Sequence, residues 1–304
     1  MENQKSGGAF TGGLVFSATV VIYLFLSLIY SVVVSILGVS AETSDAVIYI
    51  NYLVAPIAAA AGIAIVLKVR KVPFGELMPL KIPARQGVRW YIVAVLLAFG
   101  LLFTLSWLNV GFERLLRLCG YKNQPSYFPD LSGGGVALAL LVMAVIPAFA
   151  EETLFRGVIL QSIKQDIGEI FSILLCGMCF ALFHASALQT IYQFICGCAF
   201  ALLAVRASSV GPCMLAHFLN NAVIIIMQAA GGDTSGTIFD LVPLWAASAI
   251  TVLSTLSLIA AIVLMFRGAA LVRVDGKKGI KDFFLASSAG IAVLVILWIA
   301  GLFA

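Results

Sequence analysis

The chain has 304 residues, of which 62% are apolar and only 11% charged, and its mean hydropathy is +1.11. Soluble domains are about one-quarter charged. A chain this apolar cannot cover its surface with polar groups, so its solvent is lipid. That excludes a disordered chain and a nucleic-acid binder, and it argues against an ordinary soluble enzyme. The net charge of +4 matters less than where the charges lie.

Long charge-free runs predict an all-α, polytopic helical bundle. In chain order they are Leu14–Leu37, Ala46–Leu67, Trp90–Val110 and Leu131–Ala150, then Leu241–Phe266 and Phe283–Ala304. Each is about as long as a spanning helix, roughly 20 residues. The stretch Ile170–Val205 contains no Asp, Glu, Lys or Arg and has room for two helices with a turn near Ser186–Gln189. Ala207–Gly232 adds another, which makes about eight to nine spans. Only helices and closed barrels satisfy the backbone in lipid, and runs of this length are helices. The first run is too long for a signal core and has no small-residue cleavage site after it, so it reads as a retained helix. The segment Lys68–Arg89, with Pro73, Pro79 and Pro83, reads as an irregular surface loop. No repeat or linker divides residues 1–304, which are treated as one integral membrane domain.

Charge sets the expected orientation. With the N-terminus in the cytoplasm, the inner side holds Lys5, then Lys68, Arg70, Lys71, Lys81, Arg85 and Arg89, then Arg156, Lys164 and Arg206, and finally Arg267, Arg273, Lys277, Lys278 and Lys281. The outer side holds only Arg114, Arg117 and Lys122, beside the acids Glu42, Asp45, Asp233 and Asp240. This bias follows the positive-inside rule and points to a cell-membrane protein. The six cysteines include Cys176-x-x-Cys179 and Cys196-x-Cys198. They read as small packing residues in apolar helices, since no second pair supports a metal site.

Ionisable groups inside lipid are expensive and mark functional sites. Here they cluster in one-third of the chain. Both histidines, His184 and His217, fall in predicted spans, and the acid pair Glu151–Glu152 follows an apolar run. Glu152 and Arg156 are four apart and can pair on a helix. Glu151 is rotated about 100° from Glu152, so one acid can be structural while the other faces a cavity. His217 and Asn221 share a helical face, as do Phe180 and His184, while Asn220 is adjacent. Measured along each helix at 1.5 Å per residue, Glu151 lies about 18 Å from an inner turn at Ile163, His184 about 21 Å deep, His217 about 9 Å and Asn221 about 15 Å. These depths predict one polar site in the cytoplasmic-to-middle part of the bilayer, reached from inside. Pro147 is expected to kink the helix just before the acids. Any one of these residues alone reads as structural; together they point to a site.

Three short patterns carry a family resemblance. Glu151-Glu152-Thr-Leu-Phe-Arg156 resembles an E-E-x-x-x-R motif, Phe180-Ala-Leu-Phe-His184 an F-x-x-x-H motif, and His217-Phe-Leu-Asn-Asn221 an H-x-x-x-N motif. In this order and within membrane segments they resemble the CPBP family, which comprises the type II CAAX prenyl endopeptidases and bacteriocin-processing or immunity relatives. The resemblance covers a core of about 130–230, flanked by 1–129 and 231–304. It implies intramembrane peptide-bond hydrolysis. Glu151 and His184 would activate a water, His217 and Asn221 would stabilise the oxyanion, and Glu152, Arg156 and Phe180 would support the site. The chemistry agrees: a carboxylate in an apolar cavity suits general-base work, and donors on one helical face can converge on one developing charge.

Metal is left open. Glu151, His184 and His217 could supply the three protein ligands of a catalytic zinc, yet there is no H-E-x-x-H pattern and a metal-free glutamate hydrolase uses the same residues. The expected partners are membrane lipid and a membrane-associated or lipidated peptide, with no nucleic acid. Nothing reads a prenyl group specifically, and a lipid-facing cleft near Phe180 and Phe183 would accept any apolar tail. A transporter is the competing reading, because Glu, His and Arg in lipid also mark solute pathways, although no repeated halves are visible. A non-catalytic immunity scaffold is the third.

Overall fold

The computed structural model describes residues 7–81, 87–122, 127–232, 238–267 and 270–303, apart from the side chain of Phe239. Lys5, Pro83, Arg85 and Asp233 of the sequence analysis lie outside these residues. The described chain is helical, with no strand among the described residues. Nine principal helices run in order: α1 (Gly8–Leu37), α2 (Asp45–Arg70), α3 (Gly87–Leu118), α4 (Gly135–Ile167), α5 (Glu169–Phe183), α6 (Thr190–Ala207), α7 (Gly211–Ala229), α8 (Leu244–Phe266) and α9 (Lys277–Phe303). Eight of them are long and apolar enough to cross a membrane. The exception is α5, whose 15 residues span about 22 Å, short of a hydrocarbon core of about 30 Å. The protein is an integral membrane protein.

Two boundaries differ from the sequence expectation. The run ending at Ala150 is the first half of α4, which continues past the acids to Ile167. Glu152 and Arg156 do not end it because they pair with one another within the bundle. The second difference is the 68–89 segment. Instead of staying on the surface, it turns through Phe74–Leu77 and inserts Leu77, which is fully buried. The Pro79 carbonyl accepts from Val210 N at 2.8 Å, and the Leu80 carbonyl from Ser209 Oγ at 3.0 Å. Gly157 makes room for this segment, since a Cβ there would stand 2.8 Å from Met78 Sδ.

The central helix is α4, touched by α1, α2, α5, α6, α7 and α9. On one side α1 packs between α2 and α9; on the other α3 packs against α8 and meets α6 and α7. Lipid provides no hydrophobic drive between helices, so close approach and polar contacts do that work. At the α1–α9 seam, Ser17 Oγ donates to the Ala286 carbonyl at 2.8 Å and accepts from Gly290 N at 3.1 Å. The outer face of α1 leaves Phe25, Leu28, Val32 and Ile36 exposed, as lipid contact requires.

Successive helices alternate in direction, so the bundle has two ends. One carries Lys68–Leu80, Gly168, Ser208–Val210 and Val272–Gly276, linked by bonds such as Glu169 N to the Val272 carbonyl at 2.9 Å. The other carries Val39–Asp45, Cys119–Gly134 and Ala185–Gln189; there Asp130 N donates to Asp45 Oδ2 at 3.0 Å. Trp298 Nε1, near the end of α9, donates to Thr190 Oγ1 at 2.7 Å, which fixes the 184–190 turn at this second end.

Candidate functional site

The site is built on the middle of α4. Glu151 stands sixteen residues from each end of that helix. The backbone around it is not uniform. Leu140–Val145 and Thr153–Ile159 are π-helical, and the ordinary turn between them, Ile146–Glu152, carries Pro147 and both acids. π-Turns are rare and concentrate at functional sites. Pro147, the expected kink position, stands between the two widened turns. Pro147 has no N–H, so it cannot serve the carbonyl four residues earlier, Met143. Asn221 Nδ2 donates to that carbonyl at 3.3 Å. A defect in α4 thereby anchors the amide of α7.

Glu152, Arg156 and His217 form a closed polar core. Glu152 and Arg156 have no exposed side-chain surface, and Arg156 Nη1 donates to Glu152 Oε1 at 2.9 Å. The second guanidinium arm, Nη2, donates to the Gly197 carbonyl on α6 at 3.1 Å. Phe180 lies under the cation at 4.3 Å and Phe200 at 5.3 Å. Such faces stabilise a desolvated cation by about 2 kcal/mol. His217 Nδ1 lies 2.9 Å from the same Glu152 oxygen. A carboxylate only accepts, so Nδ1 donates and the ring presents Nε2 elsewhere. α5 and α6 come close enough to place these groups because Gly177 and Gly197 face each other; a Cβ on Gly197 would stand 2.7 Å from Gly177 Cα.

Glu151 faces differently. It lines a cavity and is buried, and its Oε2 has no hydrogen-bond partner. That oxygen lies 3.9 Å from His184 Nε2. His184 follows the last residue of α5, and its Nδ1 is 2.8 Å from the Phe180 carbonyl. A carbonyl accepts, so Nδ1 donates there and a neutral ring turns the lone pair of Nε2 towards Glu151. The F-x-x-x-H spacing is thus a single-turn contact that fixes a tautomer. Phe180 also stacks edge-on against His184 at 4.7 Å. Phe180 and Phe183, expected to border a lipid-facing cleft, are both buried against Phe155, and of the two only Phe180 lines the cavity.

The cavity has a volume of about 930 Å³. It gathers Glu151, His184, His217, Asn221 and Phe180, while Glu152 and Arg156 stand behind it. Sequence reasoning missed several of its walls: Tyr23, Asn51 and Asn109 from α1, α2 and α3, and Tyr192 and Phe200 from α6. Tyr192 donates its hydroxyl to Asn220 Oδ1 at 2.8 Å. Polar Asn51 and Asn109 inside charge-free runs were the available signal. The outermost lining residues are Glu113, Tyr127, Phe128, Gln189 and Gln228, all at the end of the bundle with Val39–Asp45. No lining residue comes from the end with Lys68–Leu80. The cavity thus opens at the end of the bundle away from Lys68–Leu80, whereas the depth count predicts a site reached from the end that holds most Lys and Arg. Beside this mouth, the Asp130 carboxyl is held below the usual carboxylate range by the Ser132 N–H and then the Ser132 hydroxyl.

Among the described residues no three His, Cys, Asp or Glu side chains are grouped to hold an ion. Of the expected zinc candidates, Glu151 and His184 face each other, while His217 turns Nδ1 to Glu152 and keeps Nε2 as its remaining nitrogen. The cysteines are all free thiols; Cys176 and Cys213 donate to the Phe155 and Phe200 carbonyls as packing groups.

Residues 133–223 match the family model described as type II CAAX prenyl endopeptidase Rce1-like. This match is consistent with the CPBP family that the three motifs resemble, and it supports a CAAX-protease-like intramembrane endopeptidase in general. It runs from the start of α4 into α7 and contains every motif residue. No curated protein and no solved structure matches the chain.

Proposed function

We propose that this protein hydrolyses a peptide bond of a membrane-associated polypeptide, with Glu151 and His184 sharing the activation of one water. The observation that carries the reading is the pair Glu151 Oε2 and His184 Nε2, two acceptors 3.9 Å apart and facing one cavity. A water between them can donate one O–H to each, which leaves its oxygen lone pairs free for the scissile carbonyl. As the new C–O bond forms, Glu151 takes the proton. With Nδ1 donating to Glu152, His217 acts as imidazolium, and in that form its Nε2 and the Asn221 amide are the donors for the developing oxyanion. Collapse breaks the C–N bond, and the proton held at Glu151 passes to the departing amine. Glu152 orients His217 and Arg156 balances Glu152; neither touches the reacting atoms. No step needs a metal.

The experiment compares native cells with cells producing Glu151→Gln, reading membrane-derived peptide ends by mass spectrometry. The variant keeps the side-chain shape and removes the base. General-base catalysis contributes about 10²–10⁴-fold, so specific ends should disappear at unchanged protein level. Identical end profiles with equally folded protein would refute hydrolysis at this site.

A further inference from the structure

We infer that the cavity receives its substrate from the extracytoplasmic face, and that the substrate is an exported, membrane-anchored polypeptide cut within an uncharged segment beside its anchor. This rests on the hydrolase reading above and adds the side and the chemistry of what enters. Two independent observations meet here. The first is geometric: every outermost lining residue belongs to the end carrying Val39–Asp45, Cys119–Gly134 and the 184–190 turn.

The second is charge. All described Lys and Arg lie at the opposite end except Arg114, Arg117, Lys122 and the buried Arg156. Basic residues in short loops are retained in the cytoplasm. The basic end is therefore cytoplasmic, and the mouth faces outward. At the rim Arg117 is tied to Glu113, its Nη2 lying 2.6 Å from Glu113 Oε1. No Lys or Arg lines the cavity among the described residues, whereas the acids Glu113 and Glu151 do. A chain end bearing a free carboxylate would enter without a cation to meet it. The walls instead offer neutral donors and acceptors, Asn51, Asn109, Gln193 and Asn220, which suit an extended peptide backbone.

Sidedness is tested without reference to catalysis. Cys119 is exposed at the mouth end. Lys71 is exposed at the basic end, and Lys71→Cys in a Cys119→Ser background reports that face. A membrane-impermeant maleimide added to intact cells should label Cys119 and spare the Lys71→Cys variant until the cells are opened. The reverse pattern overturns the proposal even if the protein is a protease. The substrate is tested with two single-span reporters sharing one anchor and one uncharged flanking segment, displayed either outside or inside. Cleavage lost in Glu151→Gln should occur only for the outside display. Glu151-dependent cleavage of the inside display alone overturns the substrate side. If neither reporter, nor any native peptide end, depends on Glu151 while labelling is as expected, the hydrolase reading falls and takes the substrate with it.

Discussion

Replacing Arg156 with Met separates the cost of a buried charge from the chemistry it supports. Arg156 and Glu152 are both fully buried and joined at 2.9 Å. Removing one partner of such a pair typically costs about 3–5 kcal/mol, because the other charge is left without compensation. In Arg156→Met, Glu152 keeps only His217, and the Gly197 carbonyl loses its donor, a further loss of about 1 kcal/mol. Adding Glu152→Gln removes the stranded carboxylate, and replacing both members of a buried pair is often nearly neutral. The double variant should therefore recover about 2–3 kcal/mol relative to Arg156→Met, a coupling within the usual range for contacting groups. Activity should not recover with it, because His217 Nδ1 then faces a neutral amide. The assay is denaturant unfolding in detergent beside the Glu151-dependent cleavage rate. If the double variant unfolds as easily as Arg156→Met, an uncompensated carboxylate is not what destabilises the single variant. If the double variant cleaves at the parent rate, His217 does not depend on the Glu152 carboxylate.

Pro147→Ala returns an N–H that can compete for the Met143 carbonyl and displace Asn221; folding should be retained while the turnover falls on the order of tenfold, about 1.4 kcal/mol in the barrier, and unchanged turnover would show that Asn221 needs no anchor. Gly197→Ala pushes a methyl against Gly177 Cα at 2.7 Å, so unfolding should become easier by about 1–3 kcal/mol. Gly75→Ala, with nothing within 4 Å, should leave the same measurement unmoved; equal effects at the two glycines would rule out close packing as the cause.

Contacts within one helix were legible in the sequence, because spacing converts directly into neighbourhood. Glu152–Arg156 and Phe180–His184 are each one turn apart, and both meet in the structure. The divergence of the adjacent acids was legible for the same reason: Glu152 is fully buried and paired, whereas Glu151 faces the cavity. Contacts between helices were not. Glu152 and His217 lie 65 residues apart, and the Met143–Asn221 bond depends on a π-turn that residue spacing does not encode. Asn51 and Asn109 carry no motif and join the site only because α2 and α3 lean over its mouth. The direction of that mouth depends on a tertiary fact, which ends of α2, α3 and α7 line it. Depths counted along separate helices could not contain it.

Charge balance sets the two acids apart. The described interior holds two carboxylates, Glu151 and Glu152, and one buried basic residue, Arg156. Arg156 can balance only one of them, and it is bonded to Glu152. Unbalanced charge is expensive in a low-dielectric surrounding, so Glu151 has to be met by something else; it lines the cavity with His184 Nε2 3.9 Å away. The same accounting predicts the effect of Glu152→Gln. The buried Arg156 guanidinium then loses its carboxylate, and unfolding in detergent should become easier by about 3–5 kcal/mol. A variant that unfolds like the parent would mean that Arg156 does not depend on Glu152 for its charge balance.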